Sequence, residues 1–320
     1  MQPSPTPRPA RPATAALRDC RLIMNLGKGG VGKSVVSAAM ALVLSRRGQR
    51  TLLVQLDAKD RISEYLGVEP IGDTPAEALP GLWCVNITPQ KAQEEYVLQR
   101  MPFKAIYKLV FQNRLVASFL EGVPAISDLS LFTSLEHHYN LRRRDGSFAW
   151  DRIVVDMPPT GHGLFFLSIP RAVSQALTSG PVHDNANRMQ AMLADRRNCA
   201  LNLVTLPEEM PVTETLETAR TLVRDMDIPP ALLLVNRFDP CLVNPDHVQP
   251  LLALARATGA QGGPLAMVEE DLLRFQRQQG YVAQLAKDLD APLATLPDIV
   301  TGRFGRCELQ ALVDRCEDLC

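Results

Sequence analysis

Short apolar runs alternate with helix-length segments along most of this chain. Runs rich in β-branched residues or leucine occur at "RLIMNL", "RTLLVQLD", "RIVVDMPP", "LNLVTLPEE", "ALLLVNRF", "GPLAMV" and "PLATLP". Short, strongly apolar runs bounded by polar or turn-forming residues read as buried strands, and the longer segments between them read as helices. Such alternation predicts a mostly parallel sheet with crossover helices on both faces, a doubly wound α/β domain. The first helix is expected just after the first run, where Val35, Val36, Ala39, Met40, Leu42 and Val43 form an apolar face and "SRRG" supplies cations and a glycine stop.

Residues 91–148 break the alternation. Phe103, Ile106, Tyr107, Val110 and Phe111 recur at helical spacing with no comparable strand signal, which predicts a helical insertion inside a domain running from 19 to 320. Five prolines among the first twelve residues predict a disordered tail over 1–18. The "RRRDG" beginning at Arg142 reads as a solvated turn.

Composition narrows the function classes. With 320 residues, 46% hydrophobic and 22% charged, the chain can bury a full core. A formal net charge of -1 offers no global basic field, so a nucleic-acid partner is not expected. No apolar run reaches the roughly 18 residues that cross a bilayer, and the N-terminus lacks the apolar core of a secretory signal. A cytoplasmic protein without a stable membrane anchor is the expectation. Seven cysteines, at 20, 84, 199, 241, 307, 316 and 320, are odd in number and scattered, with no C-x-x-C, so reduced thiols are expected. A soft-metal site from Cys307, Cys316 and Cys320 is the weaker alternative.

The chemistry begins at "GKGGVGKS", Gly27 to Ser34, which satisfies G-x-x-x-x-G-K-[ST] between an apolar strand and an apolar-faced helix. Glycines in such a loop let backbone N–H groups converge on phosphates. Lys33 then reaches the β/γ oxygens, and the Ser34 hydroxyl is placed to ligate Mg²⁺ at the positive end of the helix. Gly27, Gly29, Gly30, Val31, Gly32, Lys33, Ser34 and Val35 are the expected nucleotide-binding positions. Lys28 is a second lysine in the same loop, at its outer lip, where it would more readily project away from its own phosphates than toward them. Asp156 ends the run "RIVV", where a carboxylate can hold Mg²⁺.

The form "KGGVGKS" resembles the deviant P-loop of dimeric ATPases that include the ArsA/Get3 branch, the anion-transporting and tail-anchored-protein-targeting ATPases, with the ParA and MinD proteins as more distant relatives. "DMPPTGHGLFFLSIP", from Asp156, is similar to that branch's switch II, and "LPEEMPVTET" to another of its segments. The resemblance implies a P-loop NTPase fold of the SIMIBI class and Mg-dependent hydrolysis of ATP. It also implies a Lys28 that crosses to a second subunit's phosphates. "LDAKDRISEYLG" stands in the place of switch I, where the resemblance makes Asp57 the catalytic aspartate; a strand-end carboxylate with a metal-related role is the alternative. Ala58, Asp60 and Arg61 depart there from the proline, histidine and serine of the pattern D-P-A-H-S. The resemblance further implies that Asn236 reads adenine and Pro264 packs on it. It leaves Glu208 between a ribose contact and a solvated loop residue.

With one P-loop in the chain, the expected partner is a second ATPase subunit, as homodimer or paralogous heterodimer. The resulting expectation is a nucleotide-driven switch that binds or moves an unidentified protein client, a hydrophobic protein being the candidate. A regulatory subunit with weak activity of its own is the alternative, motivated by the altered switch I. Arsenite efflux is less expected because no cysteines cluster in the helical insertion or near switch II, and a MinD/ParA-like organiser is less expected because the C-terminus leans acidic.

Overall fold

A computed structural model describes residues 17–100, 124–239, 250, 264–299, 301, 304–317 and 319–320. One eight-stranded sheet organises it, in the order β3-β4-β2-β5-β1-β6-β7-β8. Its strands are β1 (Leu22–Gly27), β2 (Thr51–Leu56), β3 (Ala76–Leu79), β4 (Leu82–Ile87), β5 (Arg152–Pro159), β6 (Cys199–Thr205), β7 (Leu232–Phe238) and β8 (Leu293–Pro297). Every pairing is parallel except β3 with β4, a hairpin turned at Pro80–Gly81.

The crossovers carry the helices α1 (Lys33–Arg46), α2 (Ile62–Leu66), α3 (Pro89–Arg100), α4 (Pro124–Asn140), α5 (Thr160–Ala176), α6 (Pro181–Ala194), α7 (Glu209–Met226), α8 (Pro264–Asp288) and α9 (Arg306–Cys316). The mostly parallel α/β architecture is the one the alternation predicts. Strand side chains point to opposite faces in turn, and both faces are covered. Ile23, Leu53, Val154 and Leu234 face α1 and α9, whereas Leu22, Met24, Val54 and Val155 face Phe132 of α4, Phe166 of α5 and Met189 of α6. Because α1 is wedged between sheet and α9, almost its whole length from Val36 to Ser45 is buried, and it shows no polar face.

Two expectations about elements are corrected. "GPLAMV" is no strand: Pro264 is the first residue of α8. Proline suits that first position, and the run continues into "EEDLLRFQRQQ", where half-buried Val268 and Phe275 and buried Leu272 and Leu285 keep a helical period. Conversely β4, "LWCVNI", and the edge strand β3, "AEAL", were not among the expected runs; an asparagine inside one and the four-residue length of the other, with Glu77 inside it, hid them. Of the segment 91–148, α3 and α4 form the two described ends, and a turn closed by an Arg142–Phe148 bridge ends it. Phe103, Ile106, Tyr107, Val110 and Phe111 lie outside the described residues, as do residues 1–16.

Candidate functional site

Strands β2, β5, β1 and β7 all finish at the same edge of the sheet, where α/β proteins gather their ligand loops. The glycine-rich loop leaves β1 at Gly27 and enters α1 at Lys33. Gly27 and Gly32 are demanded by space. A Cβ at Gly27 would sit 2.1 Å from the Val204 carbonyl oxygen, and one at Gly32, where φ is +89°, would sit 2.3 Å from Asn236 Nδ2. Lys33 is buried and folds back over the loop, its Nζ donating to the Lys28 carbonyl oxygen at 2.9 Å. Burial lowers its ammonium below the ordinary lysine value, with Asp156 and Glu214 pulling the other way.

Asp156 stands on β5 beside β1. Ser34 Oγ donates to its Oδ2 at 2.6 Å, and burial pushes its carboxyl up to about 6. A hydroxyl and a carboxylate this close, both hard oxygen donors, form a donor set that fits Mg²⁺. Asp156 belongs to a polar line drawn straight across the sheet. The strand registers place Asn86, Gln55, Asp156, Asn25 and Asn202 side by side on β4, β2, β5, β1 and β6. Asn202 Nδ2 donates to Asn25 Oδ1 at 2.9 Å, Asn25 Nδ2 donates to Ser37 Oγ at 2.9 Å, and Ser37 Oγ reaches Asp156 Oδ1 at 3.5 Å. Asn25, Ser37 and Asn202 are fully buried, so this relay fixes the carboxylate from below.

Asp57 follows β2 directly. It is exposed and holds a left-handed backbone, φ +47°, uncommon for a residue with a side chain. Its N–H donates to the Ile87 carbonyl oxygen at 2.9 Å. Asp60, three residues on, accepts the Ser63 N–H at 3.1 Å and the Ile71 N–H at 2.9 Å, and so pins the loop around α2.

Lys28 does not touch its own phosphate cradle. Its Nζ pairs with Glu214 Oε2 on α7 at 3.1 Å, both side chains about one-third exposed, 36% and 34%. Met210, one helical turn before Glu214, is 67% exposed.

On the other side of Gly32 opens a cavity of about 360 Å³, lined by Val35, Asn236, Arg237, Pro297, Tyr65 and Phe304 among others. Asn236 is seated by its Nδ2, which donates to the Val31 carbonyl oxygen at 2.9 Å. A shift of the β7–β8 register between Val235 and Phe238, with Arg237 at φ +53°, turns the end of β7 toward the loop. Tyr65 of α2 and Phe304 meet edge to face, ring centroids 5.5 Å apart.

Residues 20–180 match the anion-transporting ATPase family. Over 243 residues, 72% of this chain and 69% of the relative, the chain is 31% identical to ATPase BagA of Mycobacterium tuberculosis. The chain belongs to the anion-transporting ATPase family. It is also 31% identical to the arsenical pump-driving ATPase of Acidiphilium multivorum over 48% of this chain and 26% of that one. With ATPase GET3 of Meyerozyma guilliermondii the identity is 31% over 47% of this chain and 46% of the relative.

In this ATPase, Gly27, Gly32, Lys33, Ser34 and Asp156 converge at one edge of the sheet, with Asp57 ending the strand beside β5. Gly29, Gly30 and Val31 complete the loop, Gly30 also at positive φ, +88°. Asn236 and Val35 line the adjoining cavity together with Pro297, and Pro264 is the first residue of α8. Glu208 is an exposed residue just before α7.

Sequence reading missed Asn25, Ser37, Gln55, Asn86 and Asn202. The signal of the four amides was present as a polar residue inside an apolar strand run, but only the register shows that they share a line, and Ser37 meets them from α1. Among the described residues no three metal-binding side chains cluster, and burial raises the thiols of Cys84, Cys199 and Cys320 to about 12. No described helix is long and apolar enough to cross a membrane.

Proposed function

We propose that this ATPase works as a Mg-dependent dimeric switch, in which two P-loop chains close over ATP and the cycle binds or moves a protein partner. The observation that carries the reading is the position of the two lysines. Lys33 is folded into its own loop, whereas the Lys28 ammonium is held outward on Glu214. Beside it Met210 exposes an apolar side chain on the same face of α7. A charged and apolar patch next to a phosphate cradle is the kind of surface a second subunit would cover.

In that reading Lys33 and the loop amides bind the β/γ phosphates, and Asp57 orients the attacking water and takes its proton. A neighbour's Lys28 then neutralises charge developing on the γ-phosphate. Ser34 and Asp156 would hold Mg²⁺, which supplies charge neutralisation at the phosphate oxygens when bound. The amide relay beneath Asp156 keeps that carboxylate oriented, and Asn236, through the amide oxygen and the N–H not spent on Val31, would read the adenine edge.

The second reading, a regulatory subunit with weak activity, was motivated by the altered switch I. Asp60 argues against it, because that departure supports its own loop through two backbone N–H groups. Analytical ultracentrifugation of the Asp57→Asn chain tests the proposal. With Mg·ATP the chain should sediment as a dimer more compact than with ADP; a monomer in both states would contradict it.

A further inference from the structure

We propose that Asn86 is a positioning residue for hydrolysis, acting through Asp57. This rests on the reading of Asp57 as the catalytic aspartate. Asn86 lies on β4, beside β2, whose C-terminal end leads straight into Asp57. Its side-chain amide holds both backbone polar groups of the next residue, Ala58. Asn86 Nδ2 donates to the Ala58 carbonyl oxygen at 2.7 Å, and Asn86 Oδ1 accepts the Ala58 N–H at 3.3 Å. The Asp57 N–H is meanwhile tied to Ile87, the neighbour of Asn86 on the same strand.

Three hydrogen bonds to β4 therefore fix a turn in which Asp57 holds φ +47°. A left-handed aspartate persists only where its surroundings over-determine it, and such positions concentrate at functional sites. An exposed carboxylate on an unanchored loop would sample many directions. Here the backbone that carries it is anchored to β4, a strand paired on both sides, so the carboxylate's range is limited to its own rotamers.

The clamp also accounts for Ala58 standing where the resembling switch I pattern has proline. Proline has no N–H for Asn86 Oδ1 to accept, and the residue before a proline is driven toward extended backbone. Ala58 permits both the second hydrogen bond and the left-handed Asp57. In this chain an amide clamp from β4 takes over the stiffening that a proline ring would give.

The test is steady-state ATP hydrolysis by the full chain carrying Asn86→Ala, Asp57→Asn, or both, with nucleotide affinity and thermal melting measured on each. Asn86→Ala should lower kcat by about tenfold or more with KM for ATP changed less than about threefold, the signature of an interaction used in the transition state. In the Asp57→Asn background it should cost almost nothing further, because the residue it positions is already gone. Parental turnover in Asn86→Ala, or losses that multiply in the double variant, would overturn the proposal. Normal turnover in Asp57→Asn would instead remove the reading of Asp57, and the proposal with it. Should Asn86→Ala fail to fold, Asn86→Asp decides: it keeps the acceptor for Ala58 N–H but loses the donor, so kcat should again fall with KM held, and unchanged kcat would overturn the clamp.

Discussion

Lys28 and Glu214 form an ion pair at 3.1 Å that holds the outer lysine of the phosphate loop against the first turns of α7. In the proposed cycle that pair must open before Lys28 can serve a neighbouring site. Both side chains are partly exposed, and pairs of that kind contribute about 0.2–1 kcal/mol. Glu214→Gln should therefore favour closure by about 1.4- to fivefold, the equilibrium equivalent of that energy. The measurement is the protein concentration giving half-maximal specific ATPase activity, which should fall by that factor. An unchanged or higher concentration would show that Glu214 does not restrain Lys28.

The cavity beside Asn236 is bounded by an aromatic pair, Tyr65 from α2 and Phe304 from the segment before α9. If this cavity takes the nucleoside, Phe304→Ala should raise the Kd for ATP by about two- to tenfold, what one lost aromatic contact is worth. Inorganic tripolyphosphate, which has no base, should compete as well as before. Calorimetry with both ligands separates the outcomes: equal weakening of both would place the effect on the phosphate loop instead.

His138 on α4 is buried, and its Nδ1 has no hydrogen-bond partner among the described residues. Burial pushes its pKa down to about 4, with His137 adding to the effect. The unfolded chain takes up this proton near the ordinary value of about 6.5, which the folded chain refuses. Stability is thus unaffected above that pH and is lost as the pH falls toward 4, at up to about 1.4 kcal/mol per pH unit. Asp156, raised to about 6, acts in the opposite sense over the lower part of this window, since the folded chain binds its proton first. The comparison is therefore a difference: His138→Leu should flatten the acid limb of a urea-denaturation series relative to the parent between pH 6.5 and 4. Parallel limbs would show that His138 is not buried neutral.

Much of the site was legible because phosphate binding imposes short-range rules. Gly27 to Ser34 must follow one another closely, and the helix must begin at once, so spacing alone located the loop. Asp156 and Asn236 were legible as polar residues at the ends of apolar runs. What resisted reading depends on register and on distant partners. Asn25, Gln55 and Asn202 each look like a blemish in a strand until the parallel pairing sets them in line with Asp156. Glu214 lies on a helix face that gives no hint of Lys28, and Pro297 comes to the cavity wall through the pairing of β8 with β7. The segment "GPLAMV" misled for a different reason: an apolar run of that length suits a buried strand or the start of a helix equally, and only the turns of α8 beyond it decide.

The central claim is that Lys28 serves the neighbouring subunit's site, and subunit mixing tests it most directly. A Lys28→Ala chain keeps Asp57 but lacks the lysine to lend; an Asp57→Asn chain keeps the lysine but cannot hydrolyse. Each alone should be nearly inactive while still binding ATP through Lys33 and the loop amides. Mixed in equal amounts, half of the dimers pair the two chains and carry one competent site of two, so about a quarter of the parental turnover should return. Native mass spectrometry of the mixture confirms that the pairs have formed. Recovery to that level is the result predicted here; mixed dimers as inactive as either parent variant would contradict a lysine acting across the interface.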